Sequence, residues 1–365
     1  MPSAPAQLLS LFTGRPLNLL LLAAPLSLVL RWQMGESLWV FAAAAVSLVP
    51  AAGLIGTATE HLARRSGPTL GGFLNATFGN AAELIIAIAA LRAGHTAVVK
   101  ASITGSIIGN LLLVFGLSCY WGGLTHGKQK FNRISAGSAT VMLFLATIAL
   151  VMPAGIAMVP FPSGEARITA LHHLSLWSSI VLLGVYGAGL IFSFRSQQDP
   201  LRMNPPESHG ESVGMGVALA LLLIATVITA VEAEVLIHAL EPALVGLGMT
   251  ELFAGVIVVA LVGNAAEHYS AVTAARNNDM TLALEISIGS SAQVALMVAP
   301  VLVLLSFAMG TPMSLVFNAF EIIAIGLSVL TVALVSLDGE SNWLEGLQLL
   351  AVYVILAIAF YSIPG

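Results

Sequence analysis

Long apolar runs follow one another along almost the whole chain, and each ends at charged residues or at glycine and proline. The runs are roughly 18 to 30 residues long, which is the length that a straight or tilted helix needs to cross a bilayer. About eleven of them can be separated, at residues 16–33, 37–62, 69–92, 96–121, 132–153, 170–194, 213–239, 249–275, 281–309, 313–336 and 342–362. The pattern therefore predicts an all-α polytopic membrane protein with about 11 transmembrane helices.

The composition supports this fold class and excludes several others. Of the 365 residues, 58% are hydrophobic and only 8% are charged, so the lipid bilayer is the expected surrounding. The 13 basic residues are too sparse for a nucleic-acid surface, and no nucleic-acid partner is expected. The single cysteine, Cys119, rules out an internal disulfide and a thiolate metal cluster, and no cofactor is expected.

Basic residues predict the orientation of the helices, because lysine and arginine collect on the cytoplasmic side of a membrane. With the N-terminus inside, nine of them fall on the cytoplasmic side and four outside. The nine are Arg15, Arg64, Arg65, Lys128, Lys130, Arg133, Arg195, Arg202 and Arg276. We therefore expect a cytoplasmic N-terminus and an outside C-terminus. The least hydrophobic connector, residues 196–212, is predicted to be a flexible cytoplasmic linker.

One pentapeptide, Gly-Asn-Ala-Ala-Glu, occurs at residues 79–83 and again 184 residues later, at 263–267. The same offset aligns further pairs, namely Gly71 with Gly255, Ala87 with Ala271, Gly105 with Gly289 and Ser106 with Ser290. Offsets of 174 and 186 align Glu60 with Glu234 and Phe131-Asn132 with Phe317-Asn318. The repeat predicts four parts: an N-terminal segment with helix 1 (1–36), a first five-helix repeat (37–195), the linker (196–212) and a second five-helix repeat (213–365).

A repeat of five helices inverts its second copy in the membrane, because five is an odd number. Glu83 and Glu267, which end the two pentapeptides, then approach the middle of the bilayer from opposite sides. Inverted repeats of this kind build the ion sites of many secondary transporters near the bilayer midplane. The two halves are therefore predicted to share one site.

The residues around these two acids favour a cation site. A carboxylate at such depth costs several kcal/mol unless it is paired, so an intramembrane acid marks a functional site by default. Amide and hydroxyl oxygens lie near in the sequence, on Asn80, Asn264, Ser106, Ser290 and Gln293. An oxygen-only shell suits Ca²⁺, which takes six to eight such ligands with water included. The amides and hydroxyls are explained equally well as hydrogen-bonding groups between packed helices.

Five further polar residues are candidates for an accessory role. They are Asn110, one turn beyond Ser106; His268, directly after Glu267; and Glu321, Glu60 and Glu234. Acids and histidines near helix ends are commonly interfacial, and Asn110 can bond between helices, so each also has a structural interpretation.

Two close carboxylates also suggest how an exchange could work. Without a cation, both cannot stay ionised in a low-dielectric site, so at least one binds a proton. A divalent cation stabilises both anions and expels the protons, which makes the two kinds of occupancy mutually exclusive. Because the chain lacks a G-x-x-x-x-G-K-[ST] loop for ATP, an ion gradient is the expected driving force.

The motifs resemble those of the calcium/proton antiporter family of the calcium/cation antiporter superfamily, over nearly the whole chain from about residue 16. They are NATFGNAAELII (75–86), GNAAEH (263–268), SITGSIIGNLLL (102–113), GSSAQ (289–293) and FNAFE (317–321). The resemblance implies eleven helices, an inverted five-helix repeat and export of cytosolic Ca²⁺ against protons by alternating access. It implies that Glu83 and Glu267 are the central ligands.

The chain departs from the family pattern in places. Gly109 stands where the family often has serine, which puts a symmetric partner for Gln293 in doubt. The short linker does not favour an acidic regulatory helix. The lack of a long N-terminal extension, which plant relatives carry, favours a bacterial plasma membrane. Homo-oligomerisation is left open.

Three other functions fit the residues less well. A sodium-driven calcium exchanger would need further polar groups near the acids, and the alanines after each asparagine offer none. A passive cation channel would move calcium without stoichiometric proton movement. An intramembrane enzyme is disfavoured because neither an H-E-x-x-H pair nor a nucleophile with an evident base occurs.

Overall fold

The computed structural model describes residue 12, residues 16–195 and residues 213–364. The linker predicted at 196–212 lies outside the described residues, so its character stays a prediction. The described chain is almost wholly helical. The helices are α1 (Pro16–Met34), α2 (Leu38–Arg65), α3 (Gly67–Phe78), α4 (Ala81–Arg92), α5 (Thr96–His126), α6 (Arg133–Ala157), α7 (Gly164–Arg195), α8 (Met215–His238), α9 (Leu240–Leu247), α10 (Glu251–Gly263), α11 (Ala265–Arg276), α12 (Met280–Ala308), α13 (Ala319–Val335) and α14 (Trp343–Ser362).

These helices lie where the apolar runs predicted them, and the predicted class of an all-α polytopic membrane protein is confirmed. Within the described residues, 8 helices are long and apolar enough to cross a membrane on their own. A ninth span results if α9 and α10, which meet at an angle of 110°, are taken together. The number of crossings, about eleven from the sequence, stays a prediction, and so do the inverted orientation and the division into repeats.

Two of the predicted spans are broken at the repeated pentapeptide. The run predicted at 69–92 divides into α3 and α4 at Asn80, and the run at 249–275 divides into α10 and α11 at Asn264. Both asparagines leave helical geometry, with φ of −102° at Asn80 and −96° at Asn264. The breaks place Glu83 and Glu267 in the first turns of new helices. A helix N-terminus stabilises negative charge, so the fold gives each acid a favourable position.

Three stretches inside the long helices are wound as π-helix rather than α-helix. They are Gly109–Val114 in α5, Ala254–Val259 in α10 and Val294–Val298 in α12. The first and last follow directly on the polar segments that the sequence singled out around Ser106 and Gln293. π-helical turns are rare and frequently lie at functional sites, so their presence here supports a functional site in this region.

The repeated Phe-Asn pairs have a structural explanation, because each asparagine caps a helix. Asn132 accepts hydrogen bonds from the backbone N–H groups of Ile134 and Ser135 at the start of α6. Asn318 begins α13 in a capping box with Glu321. Caps of this kind satisfy backbone donors that the first turn of a helix leaves unpaired.

A short antiparallel pair of strands joins two loops. Strand β1 (Gln129–Lys130) follows α5, and β2 (Glu340–Ser341) precedes α14. Gln129 lies opposite Ser341, and Lys130 lies opposite Glu340. The Gln129 amide also donates to the Ala275 carbonyl, 2.9 Å away at the end of α11. The loop therefore holds the helix that carries Glu267.

Helices α5 and α10 cross very closely, and two glycines make the approach possible. A Cβ on Gly105 would overlap the Val256 carbonyl oxygen and lie 2.7 Å from the Ala260 Cβ. A Cβ on Gly255 would lie 2.5 Å from the Ala101 Cβ. Small residues at such crossings are how membrane helices gain packing contacts.

The repeat-related crossing, between α12 and α3, is not packed in this way. A Cβ on Gly289, the counterpart of Gly105, would have no heavy atom of the described residues within 4 Å. Gly71, the counterpart of Gly255, lies against the backbone of Ala63 in α2 instead. The two halves therefore hold the same motifs in different arrangements, with one crossing tight and the other open.

Replacing Gly105 by valine should lower the free energy of unfolding by about 1–3 kcal/mol, because the added side chain overpacks a closed crossing. The same substitution at Gly289 is the matched control, since that position has open space. Thermal unfolding of the purified protein in detergent, followed by intrinsic fluorescence, measures both. Equal losses at the two glycines would contradict the asymmetry between the crossings.

Candidate cation site

The two pentapeptides meet in the interior. Gly263 lies against Glu83, and a Cβ at this glycine would be 3.2 Å from the Glu83 Cγ and 3.8 Å from its Cα. The missing side chain lets the break between α10 and α11 approach α4. The charges on Glu83 and Glu267 are close enough to act on each other. The structure thus brings together the two acids on which the predicted site depends.

Several buried oxygen atoms around these acids have no hydrogen-bond partner within the described protein. They are both carboxylate oxygens of Glu83, Oε2 of Glu267, Oδ1 of Asn80 and Oδ1 of Asn110. Glu83 is only 8% exposed, Asn80 1% and Asn110 0%. A buried polar group without a partner is costly, and such groups in a native fold require an explanation. Oxygen atoms of this type are the ligands that hard cations such as Ca²⁺ prefer.

The donor set also limits what the site can hold. Among the described residues, no group of three or more His, Cys, Asp or Glu side chains could hold a metal ion. The remaining ligands would have to come from amides, hydroxyls, backbone carbonyls or water. Oxygen donors of this kind suit a hard cation better than a soft metal.

Asn80 is oriented by Gln293 from the other half of the chain. Its Nδ2 donates to the Gln293 Oε1 at 2.5 Å. Because the amide nitrogen is used in this bond, the oxygen of Asn80 is the atom left without a partner. Gln293, predicted as a lining residue, therefore acts on the orientation of Asn80.

Asn264 has a different arrangement from its repeat counterpart, since both ends of its amide are used within the protein. Its Nδ2 donates to the Ser106 hydroxyl oxygen and to the Ala260 carbonyl oxygen, each at 2.8 Å. Its Oδ1 accepts a hydrogen bond from the Asn110 Nδ2 at 2.9 Å. From the sequence, Asn264 was predicted among the main site residues and Asn110 among the accessory ones. In the structure the unpartnered amide oxygen on this side belongs to Asn110.

The two halves thus use amides from neighbouring repeat positions. Gln293 corresponds to Gly109 at the 184-residue offset, and Asn110 corresponds to Val294. Each half therefore contributes one long-range amide, displaced by one residue. Gly109, the repeat counterpart of Gln293, has no side chain, and its neighbour Asn110 supplies the amide instead.

The two predicted serines, Ser106 and Ser290, also differ in their contacts. Ser106 is 4% exposed and bonds to Asn264. Ser290 is half-buried, and in the described part of the chain its hydroxyl makes no hydrogen bond to the other predicted site residues. Its neighbour Ser291 donates to the Ile107 carbonyl oxygen at 3.3 Å and so joins α12 to α5.

Glu321 belongs to another cluster. Its carboxylate accepts from the Thr104 hydroxyl at 3.1 Å and from the Asn318 backbone N–H at 2.9 Å. Lys100 lies near it and donates to the Val316 carbonyl oxygen at 2.9 Å. Because both carboxylate oxygens are used, its evident role here is to cap α13 and join it to α5.

The other accessory candidates lie towards the surface of the described structure. The Glu60 side chain is 57% exposed and forms an ion pair with Arg64. Glu234 is exposed, and His268 is half-buried beside Glu267. Gly263 was not among the predicted site residues, yet its lack of a side chain lets the two pentapeptides approach each other. Its only signal in the sequence was the repeat itself.

The chain is similar to known proteins over nearly its whole length. The family model described as sodium/calcium exchanger protein matches residues 36–195 and 217–362. The Ca(2+)/H(+) antiporter of Aphanothece halophytica is 44% identical over 360 residues, which are 94% of this chain and 96% of that protein. The Ca(2+)/H(+) antiporter ChaA of Bacillus subtilis (strain 168) is 42% identical over 342 residues, 92% of this chain and 96% of that protein. The structure of native YfkE superposes with a TM-score of 0.83 at 40% identity, covering 96% of this chain and 100% of that one.

The bond between Asn110 and Asn264 can be measured by a double-mutant cycle. Replacing either residue by alanine leaves a buried amide without its partner, and we expect a coupling of roughly 0.6–1.7 kcal/mol between the two substitutions. Thermal unfolding of the wild type, Asn110→Ala, Asn264→Ala and the double variant gives the value without added cation. Additive effects would show that the two amides do not interact.

Proposed function

The chain belongs to the sodium/calcium exchanger protein family and, within it, to the calcium/proton antiporters, and we propose that it exports Ca²⁺ from the cytoplasm in exchange for protons. The observation that carries the proposal is the meeting of Glu83 and Glu267 beside unpartnered amide oxygens. Relatives at up to 44% identity are named Ca(2+)/H(+) antiporters, which supports both substrates. The membrane is proposed to be a bacterial plasma membrane, with the N-terminus in the cytoplasm and the C-terminus outside.

Calcium would lie between the two carboxylates. The unpartnered oxygens of Glu83, Glu267, Asn80 and Asn110 supply part of its shell, and water completes the six to eight ligands that the ion takes. A doubly charged ion stabilises both anions at once, which offsets the cost of placing them in a low-dielectric interior. Asn264 and Gln293 hold the ligating amides in position through the hydrogen bonds described above.

Protons compete for the same atoms. When calcium leaves, the two carboxylates repel each other in a site that water screens poorly, and protonation removes the repulsion. A proton on either glutamate in turn removes charge that calcium needs. Since the ion and the protons exclude each other, one can cross the membrane only in exchange for the other.

We propose that the unequal helix crossings correspond to one of the two states that alternating access requires. The crossing of α5 with α10 is closed at Gly105 and Gly255, whereas its repeat counterpart at Gly289 is open. In the orientation predicted from the basic residues, the closed crossing lies on the outer side and the open one faces the cytoplasm. This arrangement would admit cytoplasmic calcium, and exchanging the roles of the two crossings would release it outside.

The gating motion is proposed to involve α2 and α8, which share the most extensive helix–helix contact in the described structure. They are the first helices of the two predicted repeats. Sliding of this pair would change which half-site is covered as the two crossings exchange their roles.

A sodium-driven calcium exchanger is the second candidate, because the matching family model is described by that activity. Further sodium sites would need extra polar side chains beside the acids. The positions that follow each asparagine are alanines, Ala81 and Ala82 in one half and Ala265 and Ala266 in the other. Proton coupling therefore fits the residues better.

Replacing Glu83 or Glu267 by glutamine should reduce calcium transport by about 100-fold or more, since each tenfold loss corresponds to about 1.4 kcal/mol and a carboxylate ligand contributes more than twice that. Glutamine keeps the shape, so both variants should still insert and fold. Glu241→Gln, at an exposed acid on α9, is the matched control and should transport normally. Normal flux in both site variants would refute the assigned carboxylates.

Purified protein in liposomes should accumulate calcium when only a proton gradient is imposed and sodium is absent from both sides. The expected result is calcium uptake accompanied by proton movement in the opposite direction, recorded with a calcium indicator and a pH dye in the same vesicles. A requirement for sodium would favour the second candidate. Calcium flux without proton movement would indicate a channel.

A further inference from the structure

One further acid, Glu232 in α8, is buried within the described structure and belongs to neither the calcium site nor the α13 cap. It is 1% exposed. Its Oε1 and Oε2 accept from the Ser27 hydroxyl at 2.9 and 2.8 Å. Its Oε2 also accepts from the Ser47 hydroxyl at 2.8 Å. The carboxyl group thus joins three helices, α1, α2 and α8.

The contact explains the position of α1. Ser27 is the only buried residue of the segment Ala23–Met34, and its side chain is 0% exposed. The rest of this helix is largely exposed. The predicted repeats do not include α1, and this helix packs chiefly along α2. Of the two buried polar residues of α1, Asn18 and Ser27, Ser27 is the one that meets Glu232.

A count of protons distinguishes two forms of the cluster. Each serine has one hydroxyl proton but two kinds of acceptor within reach, the carboxyl group and a backbone carbonyl oxygen. For Ser27 the carbonyl is that of Ala24 at 2.7 Å, and for Ser47 it is that of Ala44 at 2.9 Å. With a neutral carboxyl, Glu232 donates to one serine while that serine donates to its backbone carbonyl. With an ionised carboxyl, both serines must turn their protons towards Glu232.

Charged groups near the cluster do not compensate an ionised Glu232. On α1, Arg31 is bonded to Glu36. The charged residues of α2 lie more than twelve positions from Ser47, and α4 offers Glu83 and Arg92. On α8 and α9, Glu234, His238 and Glu241 are exposed. None of these groups makes a hydrogen bond or ion pair with Glu232 in the described residues. An ionised carboxylate here would therefore be held by hydroxyls alone.

We propose that Glu232 is a second proton-binding site, separate from the calcium site, whose neutral form fastens α1 and α2 to α8. In the neutral form the cluster carries no net charge, and each of its three hydrogens has an acceptor. When the proton leaves, an uncompensated charge remains among apolar helices, and the contact between α1 and α8 loosens. Because α2 and α8 are the helices proposed to slide during transport, Glu232 acts as a positioning residue for them rather than as a calcium ligand.

Distances between spin labels on α1 and α8 test the proposal without any transport measurement. Labels at the exposed Val29 and Val227, with Cys119 replaced by alanine, report on the contact through pulsed electron paramagnetic resonance. We expect a narrow distance distribution at acidic and neutral pH and a broader one at alkaline pH. A wild-type distribution that does not change with pH would overturn the proposal.

The Glu232→Gln variant separates the effect of the titrating proton from the effect of the side-chain shape. Glutamine donates to a serine without titrating, so we expect a narrow distribution at every pH. Broadening with pH as in the wild type would assign the change to another group, and a broad distribution at every pH would show that a neutral donor does not make the contact. Glu241→Gln is the matched control and should broaden as the wild type does.

Ser27→Ala tests the same contact from the other side and serves if the glutamine variant does not fold. It removes only the hydroxyl on α1, so we expect a broad distribution at every pH, whereas a narrow one would contradict the attachment. The transport readout rests on the proposed function: alkaline pH should reduce wild-type calcium flux by about fivefold more than that of Glu232→Gln. Superimposed pH profiles would exclude a role in transport, while the label distances decide on the proton site itself.

Discussion

The structure depends on one constraint, which is that two carboxylates inside an apolar fold need positive charge that the protein does not provide. Glu83 and Glu267 interact electrostatically, and each has at least one buried oxygen without a hydrogen-bond partner in the described chain. In water such a pair would be unremarkable, but in a low dielectric its repulsion and its lost hydration are both large. We therefore propose that the site takes up a cation, either a calcium ion or protons.

Much of the surrounding fold stabilises the two buried acids and links their positions to those of the two halves. The helix breaks at Asn80 and Asn264 put each acid at a helix start, where backbone dipoles favour a negative charge. Gly263 allows the second break to contact Glu83. Amides from the opposite half, on Gln293 and Asn110, fix the orientations of the two asparagines. Each half of the chain thus completes the other, which ties the site to the relative position of the halves.

The sequence predicted what depends on composition and spacing. Apolar runs of membrane length gave the helix positions, and the repeated pentapeptide identified the two acids that the structure brings together. The contacts that depend on which helix faces meet could not be predicted from the sequence. Asn110 and Asn264 are 154 residues apart, and their bond follows from the close crossing of α5 with α10. Ser27 and Glu232 are 205 residues apart, so the local sequence did not show that this acid joins three helices.

Glu321 shows the opposite case, in which the information was present in the sequence. Asn318 and Glu321 have the Asn-x-x-Glu spacing of a capping box, and the structure contains that box. The carboxylate nevertheless also suited an ion pathway, because an acid in an apolar run favours function by default.

Proton release on calcium binding tests the central claim most directly. Calcium added to the purified protein in weakly buffered detergent solution should acidify the medium, as a pH dye records, and the Glu83→Gln/Glu267→Gln double variant should release no protons. Calcium binding without proton release, or release that persists in the double variant, would contradict the account.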